Sequence, residues 1–283
     1  MSISIGLTGW GDHAKLYDAS VSPQDKLSVY ASHFPVVEVD SAFYAIQPQR
    51  NYEKWVRETP DSFSFVIKAY NKMTGHHREK LTSDEVKEMF QAYKDSIQPV
   101  IEAGKLKCVL FQFPPWFNVS KENVQKLRVI RKLMGDLPLA LEFRNRTWFL
   151  PEYKEQTLKF MREENWIHSI CDEPQAGEGS VPRILEPTHP EKTLVRFHGR
   201  NTHGWNKNGR EDWREVRFLY NYNEEELREW KERVLELQQI TPDITILFNN
   251  NSGGDAAPNA KTFIDMLGIS YCDLNPRQMD LFD

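Results

Sequence analysis

Residues 139–144 read LALEFR, and this short stretch decides the fold. Side chains alternate between the two faces of a β-strand, so residues two apart share a face. The two leucines and Phe143 therefore lie on one face, while Glu142 and Arg144 lie on the other. If the apolar face packs against helices, the charged face points into the interior of a sheet that is closed on itself.

Two other segments repeat this pattern. The segment VVEVD (36–40) places Glu38 and Asp40 on the face opposite its valines, and TLVRFHGR places Arg196 and His198 opposite its hydrophobic residues. Separate parts of the chain thus contribute charged groups to the same interior. A barrel with only structural inward positions would carry Val, Ile and Leu there.

Short β-type segments alternate along the chain with stretches of helical periodicity, which is typical of parallel strands joined by helices. Eight strands and about seven helices in about 250 residues is the size of a single α/β domain of the (β/α)8 TIM-barrel type. An open doubly wound sheet is the alternative fold. The predicted strands are SISIGL near residue 4 and residues 36–40, 63–68, 107–113, 139–143, 166–171, 193–198 and 245–249.

Helix boundaries are marked by capping residues, because Ser, Thr, Asn and Asp satisfy the free amides of a first turn. Such signals stand at Ser22, Thr82, Asn223 and Asp255. Residues 173–192 are rich in Pro and Gly and predict an irregular segment in place of a regular sixth helix.

The composition excludes several classes of protein. The chain has 283 residues, of which 40% are hydrophobic and 27% charged, and its net charge of -5 argues against a polycation that coats nucleic acid or acidic lipid. Three cysteines form no disulfide framework and no zinc spacing, which favours reduced thiols in the cytoplasm. The sequence begins without a secretory leader pattern and has no apolar run of membrane length, so we expect a cytoplasmic protein without a membrane partner.

Ionisable residues cluster at the predicted C-terminal ends of the strands, where barrel enzymes place their chemistry. Buried charges are costly unless they are paired and hydrogen-bonded, so such a cluster is either a catalytic site or a closed network of ion pairs. In the second case Glu142 pairs with Arg144, and Asp40 pairs with Lys68. The candidate catalytic residues are Glu38, Asp40, Lys68, Glu142, Arg144, Asp172, Arg196 and His198.

A divalent metal is one possible cofactor of this cluster. Carboxylates and imidazole are suitable ligands for Mg, Mn or Zn, and a bound ion activates water or polarises a phosphoryl oxygen. Arg144 and Arg196 can instead neutralise the acids without an ion, and His198 then serves as a general acid or base. The candidate metal ligands are Glu38, Glu142, Asp172 and His198.

Two common barrel chemistries are disfavoured by the residues at the strand ends. A retaining glycosidase of barrel type requires glutamates at the fourth and seventh strands, where this chain has Gln112 and His198. A Schiff-base aldolase requires a lysine of lowered pKa, whereas Glu38 and Asp40 on the neighbouring strand favour the charged form of Lys68.

The predicted rim loops are locally basic and rich in aromatic residues. Residues 68–80 carry four bases against one acid, and residues 196–217 carry six against three, which favours an anionic substrate. Aromatic rings offer faces on which sugars or bases stack, although rings at a barrel mouth also pack simply against one another. The candidate substrate-binding residues are Trp10, Tyr44, Gln112, Trp148, Arg200, Trp205, Asn249 and Asn250.

Six strand-end phrases occur together in an order that resembles the YecE-like family, known as domain of unknown function 72. The resemblance runs from about residue 3 to about residue 267; it implies a TIM barrel and no settled activity. We therefore expect a barrel domain over residues 1–272 and a flexible tail over residues 273–283. The phrases are GLTGW (6–10), VEVDSAFYAI (37–46), FQFPPWF (111–117), EFRNRTWF (142–149), FHGR (197–200) and FNNNSGGDAAPNA (248–260).

The tail contains a second recognisable pattern. Gln278, Met279, Asp280, Leu281 and Phe282 are similar to the peptide with which bacterial DNA polymerases and mismatch-repair proteins dock onto the replication sliding clamp. In that pattern the Leu-Phe pair enters an apolar cleft, the glutamine hydrogen-bonds at its edge, and the methionine takes the aliphatic position. The alternative is that the two apolar side chains fold back onto the helices of the barrel.

These features lead to three functional hypotheses. The leading one is a metal-assisted barrel hydrolase that cuts a phosphodiester or related bond in DNA or RNA and is recruited to the sliding clamp through residues 278–282. The second is a metabolic enzyme that acts on a phosphorylated sugar in a small, closed pocket. The third is a non-catalytic adaptor that binds nucleic acid or the clamp.

Overall fold

The computed structural model describes residues 2–77, 80–177, 179–205 and 211–276. Eight parallel strands form a closed barrel in which strands consecutive in sequence are neighbours and β1 pairs with β8. The predicted TIM barrel is confirmed, and the open-sheet alternative is wrong. The strands are β1 (Ser2–Thr8), β2 (Val36–Val39), β3 (Ser64–Lys68), β4 (Leu106–Gln112), β5 (Leu139–Glu142), β6 (Trp166–Asp172), β7 (Lys192–Phe197) and β8 (Asp243–Phe248).

Helices surround the barrel, together with one 3-10 helix, Arg146–Phe149. In the described part of the chain, no helix has both the length and the apolar character needed to cross a membrane. The α-helices are α1 (Lys26–Tyr30), α2 (Ser41–Tyr44), α3 (Gln49–Arg57), α4 (Ser83–Glu102), α5 (Lys121–Met134), α6 (Lys154–Glu163), α7 (Thr202–Trp205), α8 (Trp213–Val216), α9 (Glu224–Gln238) and α10 (Ala256–Leu267).

The capping signals predict three of the four helix starts. Thr82 and Asn223 form complete capping boxes with the glutamates three residues later, and Asp255 directly precedes α10. The start at Ser22 is wrong, since α1 begins only at Lys26. The Ser22 hydroxyl donates to the Asp25 carboxylate at 2.6 Å, so this pair closes a turn ahead of the helix.

The predicted irregular segment between β6 and β7 is confirmed, because its described residues form no helix. This segment runs beside β6 and stands in the chain where the other strands are followed by a helix. The Thr188 hydroxyl accepts a hydrogen bond from the backbone amide of His168 at 2.9 Å and donates to the carbonyl of Trp166 at 2.6 Å.

The barrel has two hydrophobic layers, one outside and one inside the sheet. The larger layer lies between strands and helices. The smaller layer fills the interior, and above it the same strand faces become polar: Val36 is followed by Glu38 on β2, Ala140 by Glu142 on β5, and Leu194 by Arg196 on β7. The alternation of side chains along each strand therefore places the charged groups inside the C-terminal mouth of the barrel. The interior layer consists of Val36, Val66, Cys108, Leu110, Ala140, Ile167, Leu194 and Leu247.

We predict that His168 makes folding sensitive to acid. Burial lowers the pKa of His168 to about 4, so the folded protein keeps the ring neutral while the unfolded chain takes up a proton near the ordinary value of 6.5. The resulting stabilisation is complete above pH 6.5 and falls as the pH decreases towards 4. Between pH 7 and pH 5, His168→Gln should lose about 2 kcal/mol less unfolding free energy than the parent protein in urea titrations.

The comparison isolates His168 because the other histidines are common to both proteins. Equal losses of unfolding free energy in parent and variant would contradict the prediction.

Candidate active site

The centre of the mouth is an ion-pair layer contributed by three strands. Arg196 on β7 binds Glu38 on β2 through two hydrogen bonds, Nε to Oε2 at 2.9 Å and Nη2 to Oε1 at 2.6 Å. Its third nitrogen, Nη1, donates to Oε2 of Glu142 on β5 at 2.7 Å. All three side chains are buried, so one guanidinium ties together strands on different sides of the barrel.

A second arginine extends this layer towards β6. Arg144 forms an ion pair with Glu142, Nη2 to Oε1 at 2.8 Å, and its Nη1 donates to Oε2 of Glu173 at 2.6 Å. Sequence reasoning missed Glu173, although the alternation that places Ser169 and Cys171 inside the barrel also places residue 173 there. The Ser169 hydroxyl confirms this orientation, because it donates to Glu142 at 3.1 Å.

Asp172 does not join this cluster, so the expectation that it shares a catalytic or metal site with the inward acids is wrong. Its side chain is on the other face of β6. Its carboxylate accepts hydrogen bonds from Arg183 at 2.6 Å, Arg200 at 2.9 Å and the Tyr222 hydroxyl at 2.8 Å. This network lies between the barrel and α9.

Three predicted substrate-binding residues also lie outside the mouth. Arg200 is bound by Asp172 and by two glutamates of α9. Asn250 is buried and donates to the carbonyl of Tyr220 at 2.8 Å. Trp148 is stacked on Phe143 in the outer hydrophobic layer, with ring centroids 4.1 Å apart.

His198 is held between cations and an amide. Its Nε2 lies 3.0 Å from Arg144 Nη2 and 3.4 Å from Arg196 Nη1, while its Nδ1 lies 2.9 Å from the side-chain amide of Asn249. Guanidinium groups only donate, so Nε2 is the acceptor, and the ring proton is on Nδ1. With the Asn249 side-chain amide flipped by about 180°, its oxygen accepts a hydrogen bond from that proton.

Burial, reinforced by Arg144 and Arg196, keeps the pKa of His198 well below its ordinary value. The ring is therefore neutral at neutral pH, and it serves as a fixed acceptor for the arginines rather than as a proton donor.

The buried carboxyl groups differ in their affinity for protons. Burial raises the pKa of Glu38 to about 7 against the opposing effect of Arg196, and it raises the pKa of Glu173 to about 7 against that of Arg144. For Glu142, burial is outweighed by Arg196 and Arg144, and the pKa falls well below its ordinary value. Glu142 is thus a permanent anion, whereas its two neighbours can exchange protons near neutral pH.

The segment after β7 forms a roof over this layer. Trp205, at the end of α7, is only 2% exposed, and its ring lies 5.3 Å from the Arg144 guanidinium and 4.3 Å from that of Arg217. Burial, reinforced by the nearby Arg144, lowers the pKa of Arg217 to about 9. Among the described residues no carboxylate lies within 4.0 Å of Arg217, and Nε of both arginines has no hydrogen-bond partner.

The opposite side of the mouth is more open. Lys68 pairs with Asp40 at 3.1 Å, and the Asp40 side chain is 39% exposed. Gln112 donates to Oε1 of Glu142 at 2.7 Å and so reaches the ionic layer from this side. Tyr44 is 74% exposed, whereas Trp10 packs edge-on against Trp55 with centroids 5.1 Å apart.

The predicted basic rim is weaker than residue counting suggests. Arg196 and Arg200 are both neutralised by acids from distant parts of the chain. Lys207, Arg210 and residues 78–79 lie outside the described residues. Arg217 is therefore a cation of the roof with no carboxylate within 4.0 Å among the described residues, and the charges of Glu173 and Glu142 act on it from farther away.

A divalent metal does not fit the inward acids as they stand. Side-chain donors of Glu142, Cys171 and His198 come within 4.8 Å of one another, which is the spacing of a metal site. Both oxygens of Glu142 and Nε2 of His198, however, already face Arg144 or Arg196. An ion would have to displace two guanidinium groups from buried partners, which costs several kcal/mol.

The candidate clamp-binding residues Gln278, Met279, Leu281 and Phe282 lie outside the described residues. Asn275, just before them, is fixed to the barrel, since its side-chain amide donates to the carbonyls of Ser28 and Glu58, each at 3.0 Å.

We predict that Arg196→Met destabilises the protein by about 3–5 kcal/mol, because two buried carboxylates lose their counterion. The double variant Arg196→Met/Glu38→Met should recover part of this loss. Chemical denaturation at pH 7 measures both effects. As a control, Arg228→Met on α9 removes an exposed pair with Glu224 and should change the unfolding free energy by less than about 1 kcal/mol. Similar losses for Arg196→Met and Arg228→Met would contradict the central role of Arg196.

Comparison with known proteins places the chain in a family. A protein of Bacillus subtilis strain 168, UPF0759 protein YunF, is 59% identical over 99% of this chain and 100% of its own length. Crystal structures of DUF72 family proteins from Enterococcus faecalis and Thermotoga maritima superimpose with TM-scores of 0.92 and 0.81, at 41% and 30% identity. They cover 99% and 95% of this chain, and each matches 100% of its own chain. The family model described as protein of unknown function DUF72 matches residues 4–280, and the chain belongs to this family.

Proposed function

We propose that this protein is an enzyme that binds a small phosphate-bearing substrate under the roof of the barrel mouth, with a phosphorylated sugar as the best fit. The observation that carries the proposal is the half-buried Arg217, which contacts the same Trp205 ring as Arg144 and has no carboxylate within 4.0 Å among the described residues. Arg144 is paired with Glu142 and Glu173, so Arg217 is the partly desolvated cation that a bound anion would stabilise.

Phosphate suits this position because a guanidinium matches its oxygens with planar, paired donors. Nε of Arg144 and Nε of Arg217 are both without a partner in the described structure. Both atoms are buried donors that the described residues leave unused, so a phosphate has to enter beneath the roof to reach them. Trp205, which contacts both guanidinium groups, keeps them in place.

The closed form of the mouth supports a small substrate over a polynucleotide. Glu142, Arg144, Arg196 and His198 are each 4% exposed or less. A DNA or RNA strand reaches such groups only if the roof moves. Lys68 and Gln112 are partly exposed and mark the side from which we expect a small molecule to approach. This geometry favours the metabolic alternative over the hydrolase of nucleic acid.

The chemistry available at this place is proton transfer. Glu173 is held by Arg144 on one oxygen and by the backbone amide of Val181 on the other, both at 2.6 Å. A carboxyl group with a pKa of about 7 is close to the optimum for a general acid or base at neutral pH. We assign proton transfer to Glu173, substrate binding to Arg144 and Arg217, and charge balance to Glu142.

The test combines binding and turnover. Arg217→Met should weaken the binding of inorganic phosphate at least about tenfold, because a charge-assisted hydrogen bond contributes roughly 1.5–3 kcal/mol. Phosphorus NMR or calorimetry measures the affinity, and Arg228→Met, a surface arginine, is the matched control. Unchanged affinity in Arg217→Met would refute the anion site.

Glu173→Gln separates chemistry from binding in the same experiment. With a panel of pentose and hexose monophosphates followed by NMR, this variant should bind phosphate and lose turnover. Turnover equal to that of the parent protein would remove Glu173 from the mechanism. Binding without turnover of any panel member by the parent protein would favour the non-catalytic reading.

A second candidate is a hydrolase of DNA or RNA recruited to the bacterial sliding clamp, and the observation that favours it is the pattern of residues 278–282. We predict that the intact chain retains purified clamp on an affinity resin and that Leu281→Ala/Phe282→Ala abolishes retention, because both apolar anchors are lost. Met266→Leu, a change in α10, is the control. No retention by the intact chain would exclude recruitment of this kind.

A further inference from the structure

An aromatic cluster lies on the open side of the mouth, on loops that follow three different strands. Its members are Phe43 and Tyr44 after β2, His76 after β3 and Trp116 after β4. Phe43 meets Tyr44 and His76 edge-on, at centroid distances of 5.4 Å and 4.9 Å, and His76 lies 6.0 Å from Trp116. The two outer rings are well exposed, Tyr44 by 74% and Trp116 by 59%.

Packing within the protein does not account for both exposed rings. Phe43 and His76 are half-buried and form the contacts of the cluster, whereas Tyr44 and Trp116 leave most of their surface in solvent. The Trp116 indole is held in position by a hydrogen bond from Nε1 to the carbonyl of Gly75 at 3.3 Å. Two oriented rings beside a polar mouth therefore offer faces to a ligand.

The hydrogen bonds of His76 orient its ring. Nδ1 lies 2.8 Å from the Thr74 hydroxyl, which also lies 3.1 Å from the carbonyl of Asn71. Among the described residues Nε2 has no hydrogen-bond partner, so this nitrogen is available to a ligand. Burial and the cations Lys68 and Arg144 lower the pKa of His76 to about 4, which keeps the ring neutral at neutral pH.

The cluster is continuous with the charged mouth. The Lys68 ammonium lies 4.9 Å from the Phe43 ring and pairs with Asp40, whose carboxylate is partly exposed. Arg144 also contributes to the lowered pKa of His76. A ligand in the mouth can thus extend past Lys68 towards the rings.

We propose that Phe43, Tyr44, His76 and Trp116 form a subsite for the ring of a sugar, which deepens and rests on the proposed function. The apolar C–H face of a sugar packs against exposed aromatic rings, and its hydroxyl groups need acceptors and donors around their edge. The Asp40 carboxylate supplies acceptors, Lys68 supplies a donor, and Nε2 of His76 supplies a ring nitrogen that hydrogen-bonds a hydroxyl group. A nucleobase is the competing occupant, since it also stacks on such rings.

Trp116→Leu tests the subsite without disturbing the core, because this ring is mostly exposed. We expect the affinity for the tightest-binding pentose or hexose monophosphate to fall by about threefold to tenfold, the equivalent of one aromatic contact, with no change for inorganic phosphate. His76→Phe, which keeps a ring and removes the ring nitrogens, should weaken the binding of the same sugar phosphate. Tyr153→Leu is the control, because Tyr153 is an exposed ring before α6.

Neutral methyl glycosides separate this proposal from the anion site, because they carry no phosphate. Saturation-transfer NMR should show transfer from the aromatic protons to methyl glycosides in the parent protein and loss of transfer in Trp116→Leu. That result supports the subsite even if Arg217→Met leaves phosphate binding unchanged. The proposal is overturned if Trp116→Leu affects neither ligand class, or if it weakens nucleoside monophosphates and leaves sugar phosphates unchanged.

Discussion

The bidentate pair between Arg196 and Glu38 is the interaction on which the mouth depends. It joins β7 to β2 across the interior, and the remaining nitrogen of Arg196 fixes Glu142 on β5. An isolated charge at this depth is strongly disfavoured, so each of these groups requires the others. The closed barrel provides the geometry, because only strands that return to the first one can place three such side chains at one level.

The ionic layer also limits what the site can do. Its two arginines occupy the Glu142 oxygens and the His198 nitrogen that a metal ion would need as ligands, and they keep the His198 ring neutral. The groups left for the proposed chemistry are at its edges: Glu173, whose proton is exchangeable near neutral pH, and Arg217, which has no carboxylate within 4.0 Å among the described residues. The layer thus forms the floor of the mouth, and the proposed binding site lies above it.

Sequence reasoning predicted the parts of this site that depend on strand periodicity. Glu38, Glu142 and Arg196 face inwards because of a local alternation that any strand obeys. The same rule, applied to β6 with Ser169 and Cys171 inside, predicts Asp172 outside and Glu173 inside. The proposed role of Arg217 cannot be predicted in this way, because it depends on how far a loop residue lies from acids elsewhere in the chain, and the partners of Arg200 come from α9.

The pKa of Glu173 and that of Arg217 belong to one charge balance, since the two groups act on each other and Arg144 acts on both. Arg144 donates to Glu173 and also contacts the Trp205 ring, against which Arg217 packs. On the proposed function, an arriving phosphate adds negative charge beside Glu173 and raises the carboxyl's affinity for a proton further. Binding of the anion and protonation of Glu173 then favour each other. A protonated carboxyl group next to a bound phosphate is a general acid. On the proposed function, binding of the substrate therefore produces the acid that the reaction needs.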